Sequence, residues 1–369
     1  MDGNKLTRLL KHFIYMLQYT IRHGDVVKIA RKIGDMIMLT NEKRGISMKY
    51  NYVIFGYGSD YYRVSYNELN NVDFVKYLCR RIDTGNAFLT KLYQLHTSPV
   101  TNKFFQLPGK RIWNKAAFTG SFKDNKPICF LFFPRSRWLR NGIIEYLRKK
   151  YPSCKIGVYL GDLVKHSYSE GFKELQSKLD ICVSFDHKDA KDYGMLYYPL
   201  PYSEYDVPSD DNIIESDVYF VGKAKDRLDK ILTAYEKLRD AGLKCEFYIT
   251  GVAPENQKYA DEIHYCGQMS YVENLKHVKA TKALLEIMQQ GGHGYTLRAC
   301  EAIMYDKKMI TDNPEMADAP FYSPERISLF EDTADIDAEF VLREPVKADY
   351  QYKEQLSPIK LLEFVENHL

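Results

Sequence analysis

No run of about 18 apolar side chains occurs anywhere in these 369 residues, which excludes a hydrophobic membrane-spanning helix. A secretory leader with a cleavage site is also lacking, so a cytoplasmic chain is expected. A large excess of either charge sign is lacking, with 52 Lys and Arg against 49 Asp and Glu. The formal net charge is +3, and no Arg/Gly-rich tail accompanies it, so nucleic acid is not an expected partner. Zinc-ligand spacings are missing, and no metal is expected. The seven cysteines are odd in number and scattered through apolar runs, the usage of a reduced protein rather than a disulfide framework. Internal repeats and low-complexity tracts are absent. What remains is ordinary globular stock, 45% hydrophobic and 27% charged, in a chain long enough for two α/β domains. Thirty tyrosines are many, and they suit carbohydrate stacking and ordinary packing equally.

The most informative stretch is Leu284 to Asn313. The apolar run Lys282 to Met288 ends at Gly291-Gly292, as a buried strand running into a sharp turn would. From Tyr295, the residues Leu297, Ala299, Cys300, Ile303 and Met304 recur at helical spacing, and Met309-Ile310 starts another strand. A glycine turn feeding a helix offers free main-chain N–H groups and the positive end of a dipole to an anion. Thr296 and Arg298 add a hydroxyl and a fixed cation. A phosphate fits such a unit, although most strand–glycine–helix turns bind nothing.

Taken in order, residues 1–47 read as a helical extension. Leu6, Leu9, Leu10, Phe13, Ile14, Leu17 and Ile21 keep the rhythm of one helical face. Nine Lys and Arg against four acids give this segment about +5. Two packing partners suit such a face: an anionic lipid surface, or the protein itself, a second subunit of a homo-oligomer included. Residues 48–205 then show βα alternation and read as a first α/β domain. Tyr50 to Phe55 is a strand followed by Gly56-Tyr57-Gly58, but Tyr61 stands where a dinucleotide fingerprint needs its third glycine. Val72 to Arg81 is expected to be helical, as is Arg135 to Lys150. Ile128 to Phe133, Lys155 to Leu160 and Leu179 to Phe185 are expected strands. Asp60, Asp162 and Asp186 fall at strand carboxyl ends, where ligands of doubly wound sheets sit. The Pro/Ser/Asp-rich segment 199–211 suits a linker. A second α/β series follows over 212–340, with the capping box Ser270 to Glu273 opening one helix. Residues 345–369 end in an amphipathic helix expected to return to the first domain.

Three segments of the second half carry a family resemblance. Tyr219-Phe220-Val221-Gly222-Lys223 with Arg227, Ile263 to Ser270 with Gly267 and Met269, and Gly294-Tyr295-Thr296-Leu297 with Glu301-Ala302 occur in this order. Together they resemble the donor half of GT-B glycosyltransferases, and the whole chain is similar to glycosyltransferases of bacterial surface-polysaccharide clusters. The resemblance implies two Rossmann-like domains facing a cleft, with a nucleotide-diphosphate sugar as donor and no cofactor or metal. It implies that Lys223 and Arg227 grip the diphosphate and that Gly267 and Met269 lie near the base. Gly292, Gly294, Tyr295, Thr296, Leu297 and Arg298 would face sugar and phosphates, and Glu301 would bond the ribose. Those families carry E-x7-E, whereas His293 takes the first acidic place here, so neither inversion nor retention is implied. The implied acceptor is a glycan or a polyprenyl-linked glycan at the inner face of the plasma membrane. Asp60, Asp162 and His293 are the candidate general bases. Asp335-Ile336-Asp337 has the form of a metal-binding D-x-D, but lies after both α/β series and is set aside. A nucleotide-sugar epimerase on the same fold and a non-catalytic scaffold protein are the rival readings.

Overall fold

The computed structural model describes residues 47–369 except 57–58, 79–85, 99–108, 134–138, 140–141, 168–170, 209, 211, 268, 291–292 and 346–348. The expected helices and lipid-facing surface of residues 1–46 therefore lie outside the described residues, as does Gly292. The chain divides into Met1–Met48 and one compact unit, Lys49–Leu369.

That unit is built on two parallel sheets. In the first, β1 (Asn51–Phe55), β2 (Val75–Leu78), β3 (Ile128–Phe132), β4 (Lys155–Leu160), β5 (Ile181–Ser184) and β6 (Leu196–Tyr197) lie in the order β2-β1-β3-β4-β5-β6. In the second, β7 (Ser216–Lys223), β8 (Cys245–Thr250), β9 (His264–Tyr265), β10 (Thr281–Glu286), β11 (Lys308–Thr311) and β12 (Ile327–Leu329) lie in the order β12-β11-β10-β7-β8-β9. Strands such as NYVIF and ICFLF are apolar nearly throughout because helices cover both faces of a parallel sheet. The helices used below are α1 (Asp60–Ser65), α2 (Ile143–Lys150), α3 (His187–Tyr193), α4 (Leu228–Asp240), α5 (Tyr271–Ala280), α6 (Leu297–Met304) and α7 (Pro358–Asn367).

Two expectations change. Val75–Leu78 is not helical but an edge strand, paired from Tyr52↔Val75 to Phe55↔Leu78. Its spacing fits a helix, yet an open edge of β1 supplies the hydrogen bonds, and tertiary pairing decides. The helix expected from Arg135 is described only as α2, which starts at Ile143. Gly142 (φ +74) precedes it.

α7 packs back on the first sheet. Glu366 Oε2 accepts from the main-chain N–H of Lys49 at 2.6 Å and Tyr50 at 3.2 Å, and the Tyr52 hydroxyl donates to Leu362 O at 3.2 Å. An apolar cluster joins the two halves, running from Val64 on α1 through Leu200, Tyr202 and Val207 to Leu275 and Cys300. The halves are thus held by buried surface as well as by the chain.

Candidate active site

The second sheet is wound outwards from β7: β8 and β9 on one side, then β10, β11 and β12 on the other. Its switch point lies between β7 and β10, and neighbouring connections diverge there to leave a crevice at the carboxyl ends. A cleft of about 670 Å³ occupies that place. Val221, Arg227, Glu286 and Ile287 line it from the switch point, and Asp162, Lys165, Phe185 and Asp186 from the first domain.

α6 opens into this cleft. Thr296 has extended backbone and caps the helix, its Oγ1 accepting from Arg298 N at 3.1 Å. The turn before it is fixed from three sides. Gly294 has φ +75, a conformation that glycine adopts without strain. Its N–H donates to Glu315 Oε2 at 2.7 Å, and its carbonyl accepts from Asn313 Nδ2 at 3.0 Å. The hydroxyl of Thr296 donates to Glu286 Oε1, and the hydroxyl of Thr311 donates to Glu286 Oε2 at 2.6 Å. Glu286 is 5% exposed. Burial pushes its carboxyl above the usual range, against the pull of the two hydroxyls and of Arg298. A single acid closing an apolar strand is a sequence signal for this residue, but an apolar-run reading passes over it.

Two guanidinium groups meet here and are unequally paired. Arg298 Nη1 donates to Glu301 Oε2 at 2.6 Å, and its Nη2 to Val221 O at 2.8 Å. Burial works against that cation, yet Glu301 and two neighbouring tyrosines hold its pKa up. Arg227 instead donates to main-chain oxygens only, to Ile287 O and to Lys223 O, and no carboxylate lies within ion-pair distance among the described residues. Burial and the positive charge of Arg298 lower its pKa. Gly222 makes room for it, since a Cβ there would stand 3.1 Å from Arg227 Nη2. Lys225, at φ +45, reaches Gln289 Oε1 at 2.5 Å on the rim. The cleft therefore holds positive charge without a matching counter-charge at Arg227.

The residues singled out from sequence are only partly gathered. Asp162, Arg227, His293, Tyr295, Thr296, Leu297 and Arg298 line the cleft. Lys223 is exposed at the end of β7, Gly267 lies open on the surface, and Met269 Sδ sits 3.7 Å from the Tyr219 hydroxyl, all three outside the lining. Glu301 is 1% exposed and stands behind Arg298, with Oε1 accepting from the Tyr271 hydroxyl at 2.8 Å and Asn274 Nδ2 at 2.9 Å. In this structure it supports the arginine rather than facing the cleft. Asp60, another candidate base, also lies outside the lining: its Oδ2 accepts from Tyr271 N at 3.0 Å and its Oδ1 pairs with Arg63 at 2.6 Å. Its carboxylate thus caps α5 across the two halves. Asp186 is spent likewise, capping α3 through Asp189 N at 2.7 Å. Asp337 of the D-x-D pairs with Arg343, and no group of three or more metal-ligating side chains occurs among the described residues.

Comparison with protein-family models gives no match, and comparison with curated proteins gives none. Among solved structures, this chain is similar to a lipopolysaccharide outer core galactosyltransferase, WaaB, in its apo form. The identity is 15%, covering 86% of this chain and 98% of that one, with a TM-score of 0.43. It is similar also to AviGT4, a glycosyltransferase involved in avilamycin A biosynthesis, at 12% identity over 71% and 78% of the chains, TM-score 0.45. A UDP-N-acetylglucosamine 2-epimerase from Rickettsia bellii matches at 12% identity over 86% and 96%, TM-score 0.42. Likeness of this degree assigns no activity. The chemistry of the cleft has to carry the function.

Proposed function

We propose that this chain is a glycosyltransferase that moves a sugar from a nucleotide-diphosphate sugar to a glycan or lipid-linked acceptor in bacterial surface-polysaccharide synthesis. The observation that carries the reading is Arg227, a half-buried cation without a carboxylate within ion-pair distance among the described residues, set beside Arg298 and the N-terminus of α6 at the switch point. Breaking the bond between sugar C1 and the diphosphate oxygen releases negative charge. Fixed cations and helix N–H groups stabilise that charge as it develops, and they need no metal to do so. Arg227 would exchange its carbonyl partners for phosphate oxygens, Arg298 would stay anchored by Glu301, and Lys223 and Lys225 would close over the rim. Asp162 on the first domain's side and His293, which shares a hydrogen with Glu315 at 3.2 Å, are the two candidate bases for the acceptor hydroxyl. The inner face of the plasma membrane, reached through residues 1–47, is the proposed location.

Calorimetry and thermal shift against a panel of nucleotide sugars test the reading. One member should bind the wild-type chain without added metal and in the presence of a chelator. Arg227→Ala should then lose about 1.5–3 kcal/mol of binding, the worth of a charged hydrogen bond. With donor and acceptor present, Asp162→Asn or His293→Gln should lower turnover about 10²–10⁴-fold, whichever residue is the base. Binding by no member of the panel would refute the reading. Release of free nucleotide diphosphate without an acceptor would point to an epimerase instead.

A further inference from the structure

Glu286 ends β10 at the floor of the cleft, and its position is energetically odd. A buried carboxylate loses its hydration, which costs several kcal/mol unless cations or good hydrogen bonds replace the water. No cation lies within ion-pair distance of it among the described residues, and its partners are the hydroxyls of Thr296 and Thr311. Each threonine oxygen also accepts a main-chain N–H, Thr296 from Arg298 at 3.1 Å and Thr311 from Asn313 at 3.0 Å. A carboxylate only accepts hydrogen bonds. Both hydroxyl hydrogens therefore point at Glu286, and both oxygens are left for the backbone. A leucine would fill the same place with no charge to desolvate. Both Glu286 and Thr296 line the cleft, and the same strand ends hold the turn at Gly294 through Asn313.

We propose that Glu286 is a positioning residue for the diphosphate: by taking the hydroxyl hydrogen of Thr296 it locks that side chain as the cap of α6 and holds the helix N-terminus in register with the cleft. The role presupposes the donor site described above. The Thr296 hydroxyl then has no hydrogen to offer a phosphate, and the anion meets the main-chain N–H groups of the first turn other than that of Arg298, which Thr296 Oγ1 already holds. The charges around Glu286 fit such a scaffold. Arg227 and Arg298 attract it, whereas Asp312, itself held by Lys230 at 2.7 Å and Met288 N at 2.7 Å, repels it.

A double-mutant cycle tests whether Glu286 acts through Thr296. The probes are whichever nucleotide sugar binds the wild-type chain, and inorganic pyrophosphate. Glu286→Leu and Thr296→Val should each weaken binding about tenfold, and the double variant about tenfold as well, because all three remove one cap. Glu286→Gln keeps an acceptor for Thr296 and should stay within about threefold of wild type. The melting temperature of Glu286→Leu should be equal to or above that of wild type, since an apolar group replaces a buried charge. A merely structural Glu286 would not separate stability from binding in this way. Should Glu286→Leu fail to fold, Glu286→Ala takes its place in the cycle. A double variant near a hundredfold weaker, or a Glu286→Leu affinity like wild type, overturns the inference while leaving the donor site intact. No binding of either probe to wild type removes the donor site itself, and this inference with it.

Discussion

At the residue scale, the site is governed by which charges have partners. Glu301 is the most tightly committed acid near the cleft, with three donors on its two oxygens and almost no exposure. Removing it strands the Arg298 guanidinium and leaves Tyr271 and Asn274 without their acceptor. Breaking a buried pair from one side typically costs about 3–5 kcal/mol, because the surviving charge stays desolvated. Glu301→Ala is therefore expected to lower unfolding stability by that order, read by denaturant titration. Glu301→Gln, which keeps an acceptor for the tyrosine, should lose less. Were Glu301 instead a free ligand-facing acid, Glu301→Ala would keep wild-type stability and lose only binding.

Among the elements, α5 is the joint between the two halves. Its N-terminus is capped from within by Ser270 Oγ on Glu273 N at 3.1 Å and from the other half by Asp60 on Tyr271 N and Val272 N. Tyr271 then touches Tyr61 edge-on at 5.3 Å and shares its hydroxyl with Tyr202 at 2.8 Å. Burial would raise the Asp60 pKa, but Arg63 and the two N–H groups outweigh it and hold it below the usual range. A carboxyl with a lowered native pKa stabilises the fold above its unfolded pKa, and that contribution disappears as pH falls through the native value. Asp60→Ala should therefore cost about 1 kcal/mol at pH 7, the worth of a cap. The gap between variant and wild type should shrink below about pH 4, the ordinary aspartate range. Paired thermal melts at pH 7 and in acid measure it; a gap independent of pH would remove the capping role.

For the molecule as a whole, Lys49–Leu369 forms one compact unit, with the C-terminal helix closing on its first strand. A chain that begins at Met48 is expected to fold and to bind the same nucleotide sugar as the full chain. The first 47 residues carry about five net positive charges, so the rest carries about −2, from +3 less 5. Anionic membrane surfaces attract nearby Lys and Arg by about 1 kcal/mol each. The full chain should therefore sediment with phosphatidylserine vesicles at low salt, and the shortened chain should not. Unfolding of the shortened chain, or indifference of the full chain to vesicles, would assign residues 1–47 to packing instead.

Composition and local pattern determine much of this on their own. The apolar run Lys155 to Leu160 marks β4 to the residue, and the Ser270 box marks the start of α5, because burial in a parallel sheet and capping are local demands. Gly294 sits at positive φ, where the backbone favours glycine, and Gly222 sits where a Cβ would crowd the side chains of Arg227 and Phe220. Partnership is what the linear order leaves open. Val75–Leu78 is a strand because it pairs along the edge of β1, 23 residues earlier in the chain at every pair of the ladder.

 The separation along that ladder, Tyr52 to Val75, is invisible to a local pattern, and helical spacing in the segment cannot reveal it. Asp60, Asp162 and Asp186 look alike as acids at strand ends, yet Asp60 caps α5 outside the cleft lining, Asp186 caps α3 at the cleft, and Asp162 lines the cleft while accepting from Leu163 N at 2.9 Å. Glu286 reads as part of an apolar strand until Thr296 and Thr311 are brought to its two oxygens. Propensity and burial are set by neighbours a few residues away, so they are written in the sequence. The charge state, direction and purpose of a buried side chain are set by groups folded against it from elsewhere in the chain, so only the tertiary structure decides them.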